Sequence, residues 1–400
     1  MGWSFDYQVQ IRRVFSLSQP LMISWVLYLG GERPLNKSKE WVDSAQSLLM
    51  AAMRAGYPPC LVLLHSSDPL IPWLNQQAIV WMPLPDILVG KRSDIIKALN
   101  GDSAQLVLQP VTQRLQELQP QWGLSFYSAW IPPQIFSLPK QAFLNFHPGN
   151  LPELRGFEPD SWAILRGMQS IRGSVHRLTL IYDAGDLAWN TSATSIWAWD
   201  TPTSLIERVT SIFVKELPSL LSAMQNKCLV YTPQVNKAIQ TATRAKLVSE
   251  AVIDWQFDSH QQLSRRLRVF SGQNIGIPLQ AKLDGKFYRV LAMELWRGPC
   301  LIESGKCLGY YQEAGNFFDG APIIATKEGV ALIKVDELTA DFCPLTLAQL
   351  AASTPSKAHA KGHKLAVSLS EFNPTSPYKY DQYGVFYAND LKLNHWSYAG

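Results

Sequence analysis

Between residues 22 and 147, short apolar runs alternate with stretches of helical spacing, and that alternation confines the chain to few folds. "MISWVLYL" (22–29), "PCLVLLH" (59–65), "WGLSFYSAW" (122–130) and "AFLNFH" (142–147) read as strands. Between them, "SKEWVDSAQSLLMAAMRAG" (38–56) has its apolar residues at helical intervals, and Gly56 suits a C-cap. "AQLVLQPVTQRLQELQPQ" (104–121) reads as a helix broken near Pro110. Such β/α alternation predicts a mostly parallel sheet with helices on both faces. Gly30 and Gly31, directly after the first strand, could let backbone approach a substrate. Neither G-x-G-x-x-G nor a Walker A pattern accompanies them.

The chain has 400 residues, enough for two or three domains. Hydrophobic residues make up 47% and charged residues 17%, which gives ample core, and fourteen Trp favour apolar or stacked contacts over a solvated chain. A net charge of +4 does not by itself imply nucleic-acid binding. Five Cys with no C-x-x-C argue against a disulfide framework or a zinc site and for a reducing compartment. His359 and His363 sit in a Lys-rich, Ser/Pro-flanked segment that reads as solvated linker, so no metal is expected. The run "PLMISWVLYLGG" (20–31) is too short to span a bilayer, and no signal peptide is visible. The expectation is a cytoplasmic protein with no membrane partner.

The most informative stretch is "FLNFHPGNLPELRG" (143–156). On a strand, Phe143, Asn145 and His147 share one face while Leu144 and Phe146 take the other. The Pro, Gly, Asn and Pro that follow end the strand, leaving an amide and an imidazole side by side at its C-terminal end. Open α/β sheets bind ligands there.

Farther along come a helix, "DSWAILRG" (160–167), a strand, "SVHRLTLIY" (174–182), and the turn "DAGDL" (183–187). A helical stretch over 202–225 and a Thr/Lys-rich connector over 229–250 follow. "QLSRRLRVF" (262–270) reads as a helix. "IPLQAKLDGKFYRVLAMEL" (277–295) and "APIIATKEGVALIKV" (321–335) read as hairpins, which together suggest a small β-barrel. The predicted organisation is a leader (1–20), a catalytic domain (21–228), a linker (229–250), a barrel domain (251–352) and a tail (353–400).

Residues 146–187 as a unit resemble the folate-dependent formyltransferase family. The resemblance rests on Asn-x-His-Pro at 145–148, Leu151-Pro152, Arg155-Gly156, a helix with Ala163-Ile164, Gly173 followed by a second strand carrying His176, and Asp-x-Gly-Asp at 183–186. "FYSAWIPPQIFSLP" (126–139) stands where the family places its folate-binding strand end. "VIDWQFDSHQQLSRRLRVF" (252–270) and "GAPIIATKEGVALIKVDEL" (320–338) resemble the C-terminal barrel of methionyl-tRNA formyltransferases. The resemblance covers roughly residues 22 to 352. It implies a Rossmann-like formyltransferase domain followed by an OB-like barrel.

It also implies 10-formyltetrahydrofolate as cofactor, its pterin against the backbone of Ala129, Trp130 and Ile131 and the loop Thr179, Leu180, Ile181 and Tyr182. Asn145, His147 and Asp183 take the catalytic positions, and Gly30, Gly31, Arg155 and Gly156 are the residues expected at the acceptor. Family members often have a cis peptide at the position of Leu151-Pro152. Formyl transfer to an amine passes through a tetrahedral oxyanion, so it needs hydrogen-bond donors and a proton acceptor. Asn145 can donate. His147, once protonated, would be a second donor, with its pKa raised by Asp183, which would also accept the amine's proton.

The chain departs from the family pattern in Gly149-Asn150, where Ser-Leu is usual, and in Ser128, where Gly is common. Transfer-RNA formyltransferases carry a Lys/Arg-rich loop after the second strand, whereas here no Lys or Arg occurs between Arg54 and Lys91. The expected acceptor is therefore a small or carrier-presented amine, an amino sugar or amino-acid derivative, with methionyl-tRNA as the less favoured alternative. A formyltetrahydrofolate hydrolase and a non-catalytic binding module are the alternatives from other classes.

Overall fold

The structure is a computed structural model. It describes residues 23–30, 39–88, 92–99, 104–126, 130–235, 243–270, 276–283, 285–298, 300, 302–311 and 315–337, with three short strands between 373 and 388. Gly31, Ala129, the 1–20 leader and the His359/His363 segment lie outside the described residues.

The first sheet uses β1 (Trp25–Tyr28), β2 (Leu61–His65), β3 (Trp81–Leu84), β4 (Trp122–Phe126) and β5 (Ala142–His147), with α1 (Lys39–Arg54), α2 (Ile71–Gln76), α3 (Arg92–Leu99), α4 (Ala104–Leu118) and α5 (Pro133–Phe136) between them. After α6 (Pro159–Leu165) come β6 (Ser170–Ile171), β7 (Ser174–Arg177), β8 (Leu187–Asn190), β9 (Thr194–Ser195) and the long α7 (Pro202–Gln225). The strand order is β3-β2-β1-β4-β5-β7-β8. The first five strands run parallel, and β7 and β8 join antiparallel. This is the predicted Rossmann-like domain.

Burial on both faces explains the unbroken apolar runs of the central strands. Leu27, Val62, Leu64, Leu144 and Phe146 pack with Leu48 and Leu49 of α1 and Val209 and Phe213 of α7. Val26, Tyr28, Leu61, Leu63 and Phe143 pack with Ile95 of α3 and Leu108, Val111 and Leu115 of α4. Phe146 stacks on Phe213 with ring centroids 3.8 Å apart, so the strand beneath Asn145 and His147 is rigidly seated.

Two predicted elements need correction. Helix α4 runs straight through Pro110. Leu108, Val111 and Leu115 share its buried face, each worth about 1.5–3 kcal/mol, which together exceed the ~3 kcal/mol of an interior proline. The strand expected over 174–182 stops at Arg177. Beyond it the Thr179 hydroxyl donates to the Ile181 carbonyl at 2.8 Å, closing a turn.

After α8 (Arg244–Glu250) and α9 (His260–Phe270) the chain forms an antiparallel sheet, compatible with a small barrel. It contains β10 (Gln280–Leu283), β11 (Lys286–Arg297), β12 (Cys307–Tyr310), β13 (Pro322–Thr326) and β14 (Gly329–Glu337). The twelve-residue β11 carries an irregularity between Val290 and Ala292, the device that bends a strand around a curved sheet. In the stretch read as a tail, β15 (Asn373–Pro374) and β16 (Tyr378–Tyr380) pair with β11, and β17 (Phe386–Ala388) pairs with β16. The two parts meet where α9 packs on α6. There Arg268 donates to the carbonyls of Trp197 and Asp200 at 3.1 and 3.0 Å.

Candidate active site

Strand register builds the site. Ser125 of β4 lies beside Asn145 of β5, and Asn145 lies opposite His176 of β7. Residues so aligned present their side chains in a row on one face. The Ser125 hydroxyl donates to Asn145 Oδ1 at 2.5 Å, which fixes the amide so that Nδ2 stands 3.1 Å from His176 Nε2. His176 Nδ1–H donates to the Arg177 carbonyl at 2.9 Å, so a neutral ring accepts from Asn145 through Nε2.

Asp183 brings the negative charge. Its Oδ1 lies 3.4 Å from His176 Nε2 and its Oδ2 lies 3.7 Å from His147 Nδ1. The Gly156 N–H donates to Oδ2 at 3.1 Å. Gly156 has φ +101°, a left-handed backbone open to glycine. Asp183 itself has φ +50°, a conformation that Asp tolerates better than most residues and one often found at functional sites. His147 Nε2–H donates to the Leu154 carbonyl at 2.8 Å. That bond sets the tautomer and leaves Nδ1 facing the carboxylate.

All four groups are buried: Asn145 7%, His147 5%, His176 1% and Asp183 6% exposed. Burial lowers the His147 pKa below its ordinary value and His176 adds to the effect, outweighing Asp183 and the Leu154 carbonyl, which pull the other way. Asp183 does pull the His147 pKa upward as expected, but desolvation is larger, so the net shift is downward and the neutral ring is favoured. For Asp183 the balance is opposite. Burial alone would raise its carboxyl, but His147, His176 and the Gly156 N–H hold it below the usual carboxylate value.

One cleft collects most of the expected residues. Asn145 and Asp183 form its floor, and Trp130, Ile131, Thr179, Leu180 and Tyr182 line it together with Ser125 and Leu178. Ile181 lies off the lining and is 70% exposed. Gly30 is buried away from the cleft, where a Cβ would come within 2.3 Å of Leu84 and 2.8 Å of Tyr28. Arg155 does not face the cleft lining either. It donates through Nε and a terminal nitrogen to Gln234 Oε1 at 3.0 and 2.7 Å. Gln234 in turn donates to the carbonyls of Asp183 and Gly185 at 3.0 and 2.7 Å, strapping the aspartate loop. The peptide Leu151-Pro152 is cis.

Sequence reasoning gave no role to Ser125, His176 or Gln234. Ser125 becomes visible only through cross-strand register, and His176, though part of the motif, gains its role from that register. Gln234 stands in a connector that carries no periodic signal. Among the described residues no group of three or more His, Cys, Asp or Glu could hold a metal, and no helix is long and apolar enough to cross a membrane.

Fold and site together define an α/β enzyme with an amide donor and an imidazole–carboxylate pair at the end of parallel strands. Residues 90–221, about a third of the chain, match the family model described as Formyl transferase, so that stretch is similar to the formyl transferases. A methionyl-tRNA formyltransferase from Methylococcus capsulatus is 26% identical over 256 residues, covering 63% of this chain and 78% of that protein. Among solved structures, HypX from Aquifex aeolicus superposes with a TM-score of 0.48 at 15% identity, covering 84% of this chain and 49% of HypX. A sugar N-formyltransferase from Shewanella gives a TM-score of 0.44 at 14% identity, covering 66% of this chain and 96% of that one. The chain thus spans about half the length of HypX.

Proposed function

We propose that this protein transfers a formyl group from 10-formyltetrahydrofolate to the primary amine of a small or carrier-presented metabolite. The observation that carries this reading is the convergence of Asn145 Nδ2 and the Asp183 carboxylate on one cleft, with His147 3.7 Å behind the carboxylate. The cleft suits the cofactor: Leu180 and Tyr182 stand 68% and 37% exposed on its rim, an apolar wall for a flat ring beside the buried polar floor. Trp130, Ile131, Thr179, Leu180 and Tyr182 would hold 10-formyltetrahydrofolate, which when bound would supply the activated formyl group.

The chain's own residues do the rest. Asn145, held by Ser125 and His176, donates from Nδ2 toward the oxyanion. Asp183 lines the cleft and meets the ammonium proton as it is released. The proton then passes to the lone pair on His147 Nδ1, and it would end on the donor nitrogen as the original carbon–nitrogen bond breaks. His147 is neutral beforehand because it is buried, and the adjacent carboxylate stabilises the imidazolium formed. His147 serves in this scheme as proton acceptor and not as oxyanion donor, since its Nε2–H is committed to Leu154.

The absence of Lys and Arg between Arg54 and Lys91 supports a small acceptor over a transfer RNA. The match to the Methylococcus methionyl-tRNA formyltransferase favours a second reading, with initiator methionyl-tRNA as acceptor. The deciding experiment incubates the protein with 10-formyltetrahydrofolate and a panel of amino sugars and amino-acid derivatives, with mass spectrometry following formyl gain. Asn145→Ala, His147→Ala and Asp183→Ala should each lower turnover on the order of 100-fold or more while the fold is kept. Near-normal turnover in one of them removes that residue from the scheme. Tetrahydrofolate released without a formylated product would make the protein a hydrolase.

A further inference from the structure

A second cleft lies at the other end of α6, between the two halves of the chain. The formyl site adjoins the N-terminal end of that helix, where a Cβ on Gly149 would come within 2.5 Å of Pro159. The second cleft adjoins its C-terminal end at Gly167 and Met168, about 10 Å of helix away. It holds about 540 Å³ and opens to solvent, and α9 supplies its opposite wall.

The charges in this cleft do not balance. Arg265, Arg268 and Arg297 line it against one carboxylate, Glu328. Glu328 is already engaged, accepting from Arg297 at 3.1 Å and from the His260 N–H at 3.2 Å. The nearby Asp200 carboxylate is taken by Arg208 at 2.7 Å and so neutralises nothing in the cleft. His260 adds no charge at pH 7, because burial pushes its pKa down to about 4. Arg268 is committed to two carbonyls and ties the halves together. That leaves Arg265.

Among the described residues Arg265 has no carboxylate or carbonyl acceptor, and partial burial lowers its pKa. Its guanidinium packs close against Gly167, where a Cβ would fall 2.2 Å from Cζ. Gly167 has φ +67°, so a glycine both turns the chain and makes room for the cation. A guanidinium packed against a glycine with its donors unspent is a receptor for a planar or tetrahedral oxyanion. Beside it stand the hydroxyls of Ser259 and Ser264 and the indole of Trp197, which is 44% exposed.

We propose that this cleft is a binding site for a phosphate ester, with Arg265 as the principal contact and Arg297 as a second cation. The volume and the exposed indole suit a nucleotide-sized ligand better than a bare ion. The site does not depend on formyl transfer, so its test stands apart from the proposed activity.

The test is calorimetric titration of the full chain with ADP, inorganic pyrophosphate, adenosine and a short single-stranded RNA. ADP and pyrophosphate should bind, and adenosine should bind at least about tenfold more weakly. Arg265→Gln should weaken the phosphate probes by about tenfold or more, with Arg265→Lys recovering part of the loss because the charge returns without the fork. Unchanged ligand-free melting of both variants separates this from a folding defect, and Arg297→Gln provides a second, smaller loss should Arg265→Gln misfold. Mononucleotide binding identifies a free metabolite as the source of the phosphate, while RNA binding alone, lost in Arg265→Gln, identifies a polynucleotide. No binding of any phosphate probe at concentrations on the order of 10 mM, or binding untouched in both Arg variants, overturns the site.

Discussion

Asn145 and His176 face each other across antiparallel strands, with the amide nitrogen of one 3.1 Å from Nε2 of the other. His176 also stands 3.4 Å from Asp183. It therefore holds the proposed oxyanion donor and borders the carboxylate without lining the cleft itself. Removing the ring frees the Asn145 amide to rotate and leaves Asp183 with one imidazole fewer. His176→Ala is expected to lower kcat by about 10- to 100-fold, on the scale seen for supporting-shell losses, with KM for the folate changed little. His176→Asn, which can still accept from Asn145, should recover part of the rate. A change confined to KM would place His176 in binding instead.

The pH dependence has a definite sign. His147 has its folded pKa below the ordinary 6.5, so the unfolded chain takes up a proton that the native state resists. Its neutral form is therefore favoured in the fold, and stability falls as pH drops below about 6.5. Asp183 has its folded pKa below the ordinary 3.8, so its contribution is complete above that value and lost as pH falls through the folded one. Both groups make the protein acid-sensitive. NMR titration of the His147 ring should give a midpoint below that of a free imidazole. In Asp183→Asn the midpoint should move lower still, because the carboxylate was the group raising it. An upward move would show that the carboxylate is not the stabilising partner.

Much of this architecture was legible from local sequence. The continuous apolar runs of β1, β2 and β5 announced strands buried on both faces, and Asn145 with His147 announced a polar strand end. What stayed hidden is what local sequence does not encode. The β3 strand, "WMPL", is an edge strand interrupted by Pro83, and edge positions lack the two-sided apolar signal. The role of His176 needs the register of two strands thirty-one residues apart. The pKa direction of His147 needs its burial, which a motif does not reveal.

Gln234 makes a prediction that a passive connector would not. Its amide joins Arg155 to the carbonyls of Asp183 and Gly185 through four hydrogen bonds. Each such bond is worth about 0.5–1.5 kcal/mol net, and together they hold the left-handed Asp183 in place. Gln234→Ala should lower kcat by about tenfold and lower the melting temperature by several degrees. Gln234→Glu should be worse, because its carboxylate would lack the amide hydrogens and face two carbonyl oxygens. Melting and kinetics unaltered in both variants would show that Asp183 is held without the strap.

The acceptor gives the last prediction, and it begins with charge. A protein that grips an RNA acceptor stem neutralises several phosphates, and its log K falls by about 0.9 per phosphate for each unit of log salt. The segment from Ala55 to Gly90 has no Lys or Arg to offer. In the fold its described part builds β2, α2 and β3 at the edge of the sheet, away from the formyl cleft. The guanidinium groups of the interdomain cleft stand at the opposite end of α6 from Asn145. One small patch of cations distant from the transferred carbon would hold a nucleic acid weakly and in no register with the reaction. Binding of initiator methionyl-tRNA is therefore expected to be weak at low salt and lost at physiological ionic strength, with no efficient formylation. Filter binding across a salt series, paired with a formylation assay, tests both halves of the statement. Efficient and tRNA-selective formylation at physiological salt would make the transfer RNA the acceptor and the small amine the discarded reading.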